Sequence, residues 1–434
     1  MAKGSVIPGK RVVETFEKGL SILNLPRRLE GIGARRGGTS VFFVVRQIIA
    51  GLLNQSSSLL RGVDRSRGLV RGSIGEDTIY RTLASRAIQL WQLLPRLGSR
   101  ENTFDQDLLV IDDSPIAKPR ARRMAGLSFH FSTTERKPVH GLCLVGLYHV
   151  GAALRGFVGM KLKIGSVSIP RTGRRGRPSN EEQESRDKTK SELALELIKA
   201  ALAAGNRALR VVFDSAYFGR PFLLALKQLG ITAYTRARAN NVFWIDGVKW
   251  KALDWARAMR SWKIYRNSEI RYSSALAIWN GLGFVRLVRV QCLPTGEKRS
   301  QYAVLVCTDT RVSAAEIIRV YLERWCIEVE FRNAKTECGL EKVHVRSFQS
   351  IMNYLVCSLL GVRLLRMMER LLRDTGCAVP RLLELLRLAM QRAIQESSTI
   401  GVGERPKTMI PTGFVRIIKL RTMISSGLSP GCGT

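Results

Sequence analysis

The chain has 434 residues, with 70 Lys and Arg against 35 Asp and Glu, so its formal net charge is +35. A hydrophobic content of 45% is that of a folded protein and excludes a disordered basic tail. With a sequence pI near 10.7, the expected partner is a polyanion, nucleic acid above all, because the basic residues are spread along the whole length rather than gathered in one membrane-facing stripe.

The longest apolar candidate for a membrane span, Val139 to Leu154, is broken by His140 and His149, so no span is expected. The first residues, MAKGSVIPGKRVVETF, lack the apolar region of a secretory signal. The eight cysteines form no C-x-x-C pair, and with four His no zinc spacing emerges. Most of them, like Cys143 between Leu142 and Leu144, read as buried reduced thiols of a cytosolic protein without a polar partner.

In chain order, residues 1–104 read as a basic helical region. Phe42 to Leu53 is an apolar stretch, and Ser73 with Glu76 fits a capping box before Ile79 and Leu83. Arg61, Arg65, Arg67, Arg71 and Arg81 fit a DNA-reading helical unit and equally a solvated basic face, since no helix-turn-helix spacing is clear. From Leu108 the texture is strand-like: Leu108-Leu109-Val110-Ile111 ends in Asp112-Asp113, and Gly141 to Val150 and Gly156 to Ile164 are further strands. Residues 165–190 read as an exposed polar loop, in which Arg175-Gly176-Arg177-Pro178 matches the core of a minor-groove hook, a tetrapeptide that basic loops often produce.

Ser191 to Ala204 has helical periodicity and stops at Gly205. Leu209 to Asp214 is a strand that again ends in a carboxylate. Phe218 to Leu229 is a helix stopped by Gly230, and Ile231 to Thr235 a strand. Residues 240–300 hold Trp244, Trp250, Trp255, Trp262 and Trp279. A strand at Val304 to Cys307 precedes a long helix from Ala314 to about Glu337, then helices at Met352–Leu372 and Arg381–Ile394. The terminal SSGLSPGCGT is expected to be disordered.

An Asp at a strand end is ordinarily a turn residue. Two of them, joined by a carboxylate on a helix, make a set of hard oxygen donors suited to Mg²⁺ and phosphoryl transfer. That helix contains Tyr321, Arg324, Glu328 and Lys335. At about 100° per residue they fall within an arc of roughly 60°, with Arg332 beside them and Glu323 and Glu330 on the far side. An (i, i+4) ion pair between Arg324 and Glu328 on a solvated face explains the same spacing.

These residues resemble the Y-R-E-K signature of DDE insertion-sequence transposases of the insertion-sequence-four type, as YLERWCIEVEFRNAKTECGL stands here. VVFDSAYF is similar to that family's second Asp block, and VIDDSP to its first. That makes Asp112 the first ligand, with Ser114 two places on, and keeps Asp113 as a rival. The resemblance covers roughly residues 105–365.

It implies an α/β fold: an RNase H-like core with a mostly β insertion, flanked by helical N- and C-terminal regions. The implied division is a helical DNA-binding region at 1–104, the core at 105–239 and 301–372, the insertion at 240–300, and a helical region with a tail at 373–434. It also implies catalytic metal ligands Asp112, Asp214 and Glu328, two Mg²⁺ ions replaceable by Mn²⁺, and DNA contacts from Tyr321, Arg324, Arg332 and Lys335. The implied protein is a cut-and-paste transposase, homodimeric in its synaptic complex and associated with the nucleoid in the cytoplasm. A tryptophan of the insertion could stack on an unpaired base, although most are expected in its core.

Overall fold

The computed structural model describes residues 9–30, 39–54, 58–66, 74–132, 137–165, 180–258, 261–266, 268–292 and 301–373. Ser73, the Arg175–Pro178 tetrapeptide, the expected helix at Arg381–Ile394 and the C-terminal tail lie outside the described residues.

Among the described residues the chain opens with α1 (Gly9–Ile22), α2 (Leu25–Glu30), α3 (Val41–Leu53), α4 (Leu59–Arg65), α5 (Glu76–Ala84) and α6 (Leu93–Arg96). Ser40 caps α3 by accepting from the Phe43 amide. α5 starts at Glu76 behind Gly75, which gives no side-chain cap, and Glu76 and Asp77 in its first turn face the positive end of the helix dipole.

The sheet follows. Its first strands are β1 (Leu108–Ala117), β2 (Ser128–Ser132), β3 (Lys137–Val150) and β4 (Arg155–Lys163). Helices α7 (Asn180–Asp187) and α8 (Lys190–Ala203) then lead to β5 (Arg210–Phe213), α9 (Arg220–Gln228) and β6 (Thr232–Arg236). Two expectations change here. The polar stretch expected as loop up to residue 190 contains α7, and β2 was not expected. The cap of α8 is a reciprocal pair: Thr189 Oγ1 accepts from the Glu192 amide, and Glu192 Oε2 from the Thr189 amide.

Beyond β6 come β7 (Val242–Ile245), β8 (Val248–Lys251), α10 (Ala252–Arg257), β9 (Lys263–Ile264), β10 (Ile270–Trp279), β11 (Gly283–Cys292) and β12 (Gln301–Cys307). Three helices close the described chain: α11 (Ala314–Glu323), α12 (Trp325–Glu337) and α13 (Phe348–Arg373).

β4 and β1 flank β3 in antiparallel register, while β1, β5 and β6 run parallel. This is the strand pattern of an RNase H-like α/β core. β12 joins β6 antiparallel, and β11, β10, β7 and β8 continue the same sheet, so the β-rich insertion extends the core sheet.

Alternation along β1 divides its side chains between two cores. Leu108, Val110 and Ile116 belong to the core shared with Phe331 of α12 and most of α13. Leu109 and Ile111 belong to the core shared with Leu193 and Leu197 of α8 and Leu223 of α9.

α13 also anchors the N-terminal helices. Asn353, fully buried, accepts from the Leu90 amide at 2.9 Å and donates to the carbonyls of Leu83 and Ile88 at 3.0 and 2.8 Å. α13, not the stretch at 139–154, is the one described helix long and apolar enough to cross a membrane; 83% of that window is buried inside the fold, as a core helix requires.

Candidate active site

Parallel pairing of β1 with β5 ends at Ile111 opposite Phe213. One step further along both strands stand Asp112 and Asp214. Both share the face of Val110 and Val212, the side on which α12 lies. On β3, Asp112 is opposite Gly146, and a Cβ at Gly146 would come 2.7 Å from Phe331 Cζ and 3.1 Å from Phe157 Cε1. Only glycine leaves room there for α12 to pack this close to Asp112.

Asp113 points the other way. Its carboxylate accepts from Lys190 Nζ of α8 at 2.7 Å and from the Tyr217 hydroxyl at 3.1 Å. Cys143 Sγ is 3.6 Å from the same carboxylate, which corrects its expected lack of a polar partner. Cys292 is exposed, whereas Cys307, Cys338 and Cys357 are buried.

The expected single long helix is two, α11 and α12, meeting at Arg324. The Arg324 amide donates to the Tyr321 carbonyl and the Ile327 amide to the Arg324 carbonyl, both three residues back, a tightened turn. Glu328 sits in the first turn of α12, with Arg324 Nη2 2.5 Å from its Oε1. Arg324 Nη1 lies 2.9 Å from Asp112 Oδ2, and both of those side chains are 16% exposed. Burial pushes the Asp112 carboxyl up to about 7; Asp113 and Glu328 add to this, and Arg324 opposes it.

The other expected DNA contacts lie around this pair. Tyr321 is half-buried, its ring centroid 5.8 Å from the Arg324 guanidinium carbon. Arg332 is exposed, 5.9 Å from the Trp325 ring, and Trp325 is itself exposed. Lys335 donates to the Pro115 carbonyl of β1 at 2.7 Å and pairs with Glu341 at 3.3 Å. On the far side, Glu323 pairs with Arg155. Glu330, whose side chain is only 12% exposed, pairs with Arg366 of α13 at 3.2 Å.

Sequence reasoning missed Arg236. Extending the β5–β6 register two steps past Val212 and Tyr234 brings Asp214 beside Arg236, whose Nη2 is 3.5 Å from Asp214 Oδ1. The signal was a basic residue at the end of the next parallel strand. Of the insertion tryptophans, Trp255 is buried and Trp279 stacks on Phe218 at 4.5 Å, while Trp250 and Trp262 are half-buried and Trp244 is exposed.

Two family models match the chain. One, described as DDE superfamily endonuclease, covers residues 70–266, and the other, described as transposase DDE domain, covers residues 181–361. These matches support a DDE transposase. The first range contains Asp112 and Asp214, and the second Asp214 and Glu328. No curated protein shows significant similarity to the chain.

DDE superfamily enzymes generally use divalent metal ions. Among the described residues, no three His, Cys, Asp or Glu side chains are gathered into a metal site. The donor set nevertheless fits such an ion. Asp112, Asp214 and Glu328 offer hard carboxylate oxygens, and the Arg324 guanidinium lies between Asp112 and Glu328.

Proposed function

We propose that the chain is a cut-and-paste DNA transposase of the insertion-sequence-four type, with Asp112, Asp214 and Glu328 as its catalytic carboxylates. The observation that carries this reading is the neighbouring position of Asp112, midway along β1, and Asp214, one residue past the end of β5, on the face where α12 bears Glu328. Two Mg²⁺ ions, or Mn²⁺ in their place, would be held by these three residues and would activate water and stabilise the leaving 3′ oxygen.

The chain's own residues position the DNA. Tyr321, Arg324, Arg332 and Lys335 take phosphates at the transposon end, the two guanidinium groups in bidentate fashion. Water then opens a phosphodiester bond, releasing a 3′-OH that attacks a target phosphodiester. The net charge of +35 draws both DNA partners to the protein.

The proposed division of labour assigns recognition of the terminal inverted repeats to residues 1–104, catalysis to 105–239 and 301–372, and the β insertion to 240–300. Residues 373–434 form the C-terminal region. The working unit is a homodimer holding two ends in a synaptic complex, in the cytoplasm at the nucleoid.

A second reading, an RNase H-like endonuclease without strand transfer, is favoured by the description of the first family model. A labelled duplex ending in the element's terminal repeat, incubated with target plasmid and Mg²⁺, separates the two. A transposase yields end cleavage and joined product; an endonuclease yields cleavage alone, and absence of both excludes catalysis.

A further inference from the structure

One guanidinium bridges two of the three site carboxylates. Arg324 reaches Asp112 with Nη1 at 2.9 Å and Glu328 with Nη2 at 2.5 Å. Its Nε is buried without a hydrogen-bond partner, and beside the two carboxylates the guanidinium meets Tyr321, whose ring centroid is 5.8 Å away. Nor is the residue locked within a continuous helix, because it occupies the tightened junction between α11 and α12.

A guanidinium stays protonated at any pH the protein meets, so it cannot vacate the carboxylates by losing charge. It can leave only for another anion, and a phosphate offers the same bidentate geometry as a carboxylate. Of the other cations near the site, Lys335 is held by Pro115 and Glu341, Arg236 pairs with the third carboxylate, Asp214, and Arg332 is exposed beside Trp325.

We propose that Arg324 is a resident counter-ion: without DNA it fills the place of a divalent cation between Asp112 and Glu328, and a DNA phosphate releases the two carboxylates by taking the guanidinium. The proposal rests on the reading of Asp112, Asp214 and Glu328 as the cation-holding set. DNA and divalent cation then raise each other's affinity reciprocally, as linkage requires. The free protein is thereby kept from loading the ion before an end is seated. A static ion pair that merely clamps α12 to β1 is not exchanged for phosphate, and so predicts that a duplex changes Mn²⁺ affinity equally with and without the Arg324 guanidinium.

The test is equilibrium Mn²⁺ binding to the full chain, followed by electron paramagnetic resonance, with and without a DNA duplex. Without DNA, Arg324→Gln is expected to bind Mn²⁺ about tenfold more tightly than wild type. The duplex is expected to raise wild-type Mn²⁺ affinity about tenfold and that of Arg324→Gln far less. Arg324→Lys, which keeps the charge but cannot bridge both carboxylates, should fall between, and it decides the question if the glutamine variant does not fold. Equal or weaker Mn²⁺ binding by the folded variant without DNA, or an equal gain from the duplex in wild type and Arg324→Gln, overturns the proposal. Asp112→Asn in the same titration should weaken binding; unchanged binding there overturns the carboxylate reading itself, and the counter-ion with it.

Discussion

Asp112 and Asp113, adjacent in sequence, project from opposite faces of β1. Asp112 meets Arg324 at the head of α12, and Asp113 meets Lys190 of α8 and the Tyr217 hydroxyl. Strand alternation makes one a candidate ligand and the other a tie between β1 and the turn that follows Asp214.

The two substitutions should therefore fail differently. Asp112→Asn should lose Mg²⁺-dependent cleavage with little loss of stability. Asp113→Asn leaves Lys190 without its carboxylate and should lower unfolding free energy by about 1–3 kcal/mol while retaining measurable cleavage. Denaturant melts and a cleavage assay on both proteins check this; full activity of Asp112→Asn would transfer the role to Asp113.

Gly146→Ala places a methyl 2.7 Å from Phe331 Cζ. Overpacking of this kind costs about 1–3 kcal/mol. Because α12 must shift to relieve it, cleavage should fall along with stability. Adding Phe331→Leu opens the space and should restore part of both, which melting curves and cleavage rates of the single and double variants will register.

The ion pair between Glu330 and Arg366 joins α12 to α13 through a nearly buried carboxylate. Glu330→Gln should cost about 1–3 kcal/mol. It should leave cleavage intact below its melting temperature, since the side chain faces away from Asp112. A wild-type melting curve would contradict the burial argument.

His130 supplies a pH signature. Burial, with Lys190 adding to it, pushes its imidazole down to about 4 from an ordinary value near 6.5. The folded protein holds it neutral, so the stability it contributes is complete above pH 6.5 and is lost as the pH falls towards 4. Wild type should lose about 2–3 kcal/mol more than His130→Gln on going from pH 7 to pH 4. Parallel loss in the two proteins would refute the burial argument.

Local patterns made much of this molecule readable. Apolar runs ahead of carboxylates marked β1 and β5, although β1 runs on through Asp112 and Asp113 to Ala117, and Gly205 and Gly230 marked the ends of α8 and α9, both with positive φ. The period of 3.6 residues put Glu328 with Tyr321, Arg324 and Lys335, apart from Glu330.

What escaped that reading depends on residues far apart in the chain. Lys190 meets Asp113 across 77 positions, and Arg324 meets Asp112 across 212. No periodicity encodes such partners. The room that Gly146 leaves for Phe331 is a property of β3 and α12 together. The Glu330 partner, Arg366, lies on a helix whose packing no local pattern reveals.

The central claim is that Asp112, Asp214 and Glu328 act as one catalytic set. The most direct test is cleavage of a labelled terminal repeat with Mg²⁺ by purified Asp214→Asn and Glu328→Gln, with DNA binding and melting curves measured on the same samples. The account predicts that both variants fold and bind the duplex like wild type yet cut nothing. Wild-type cleavage by either one would contradict it.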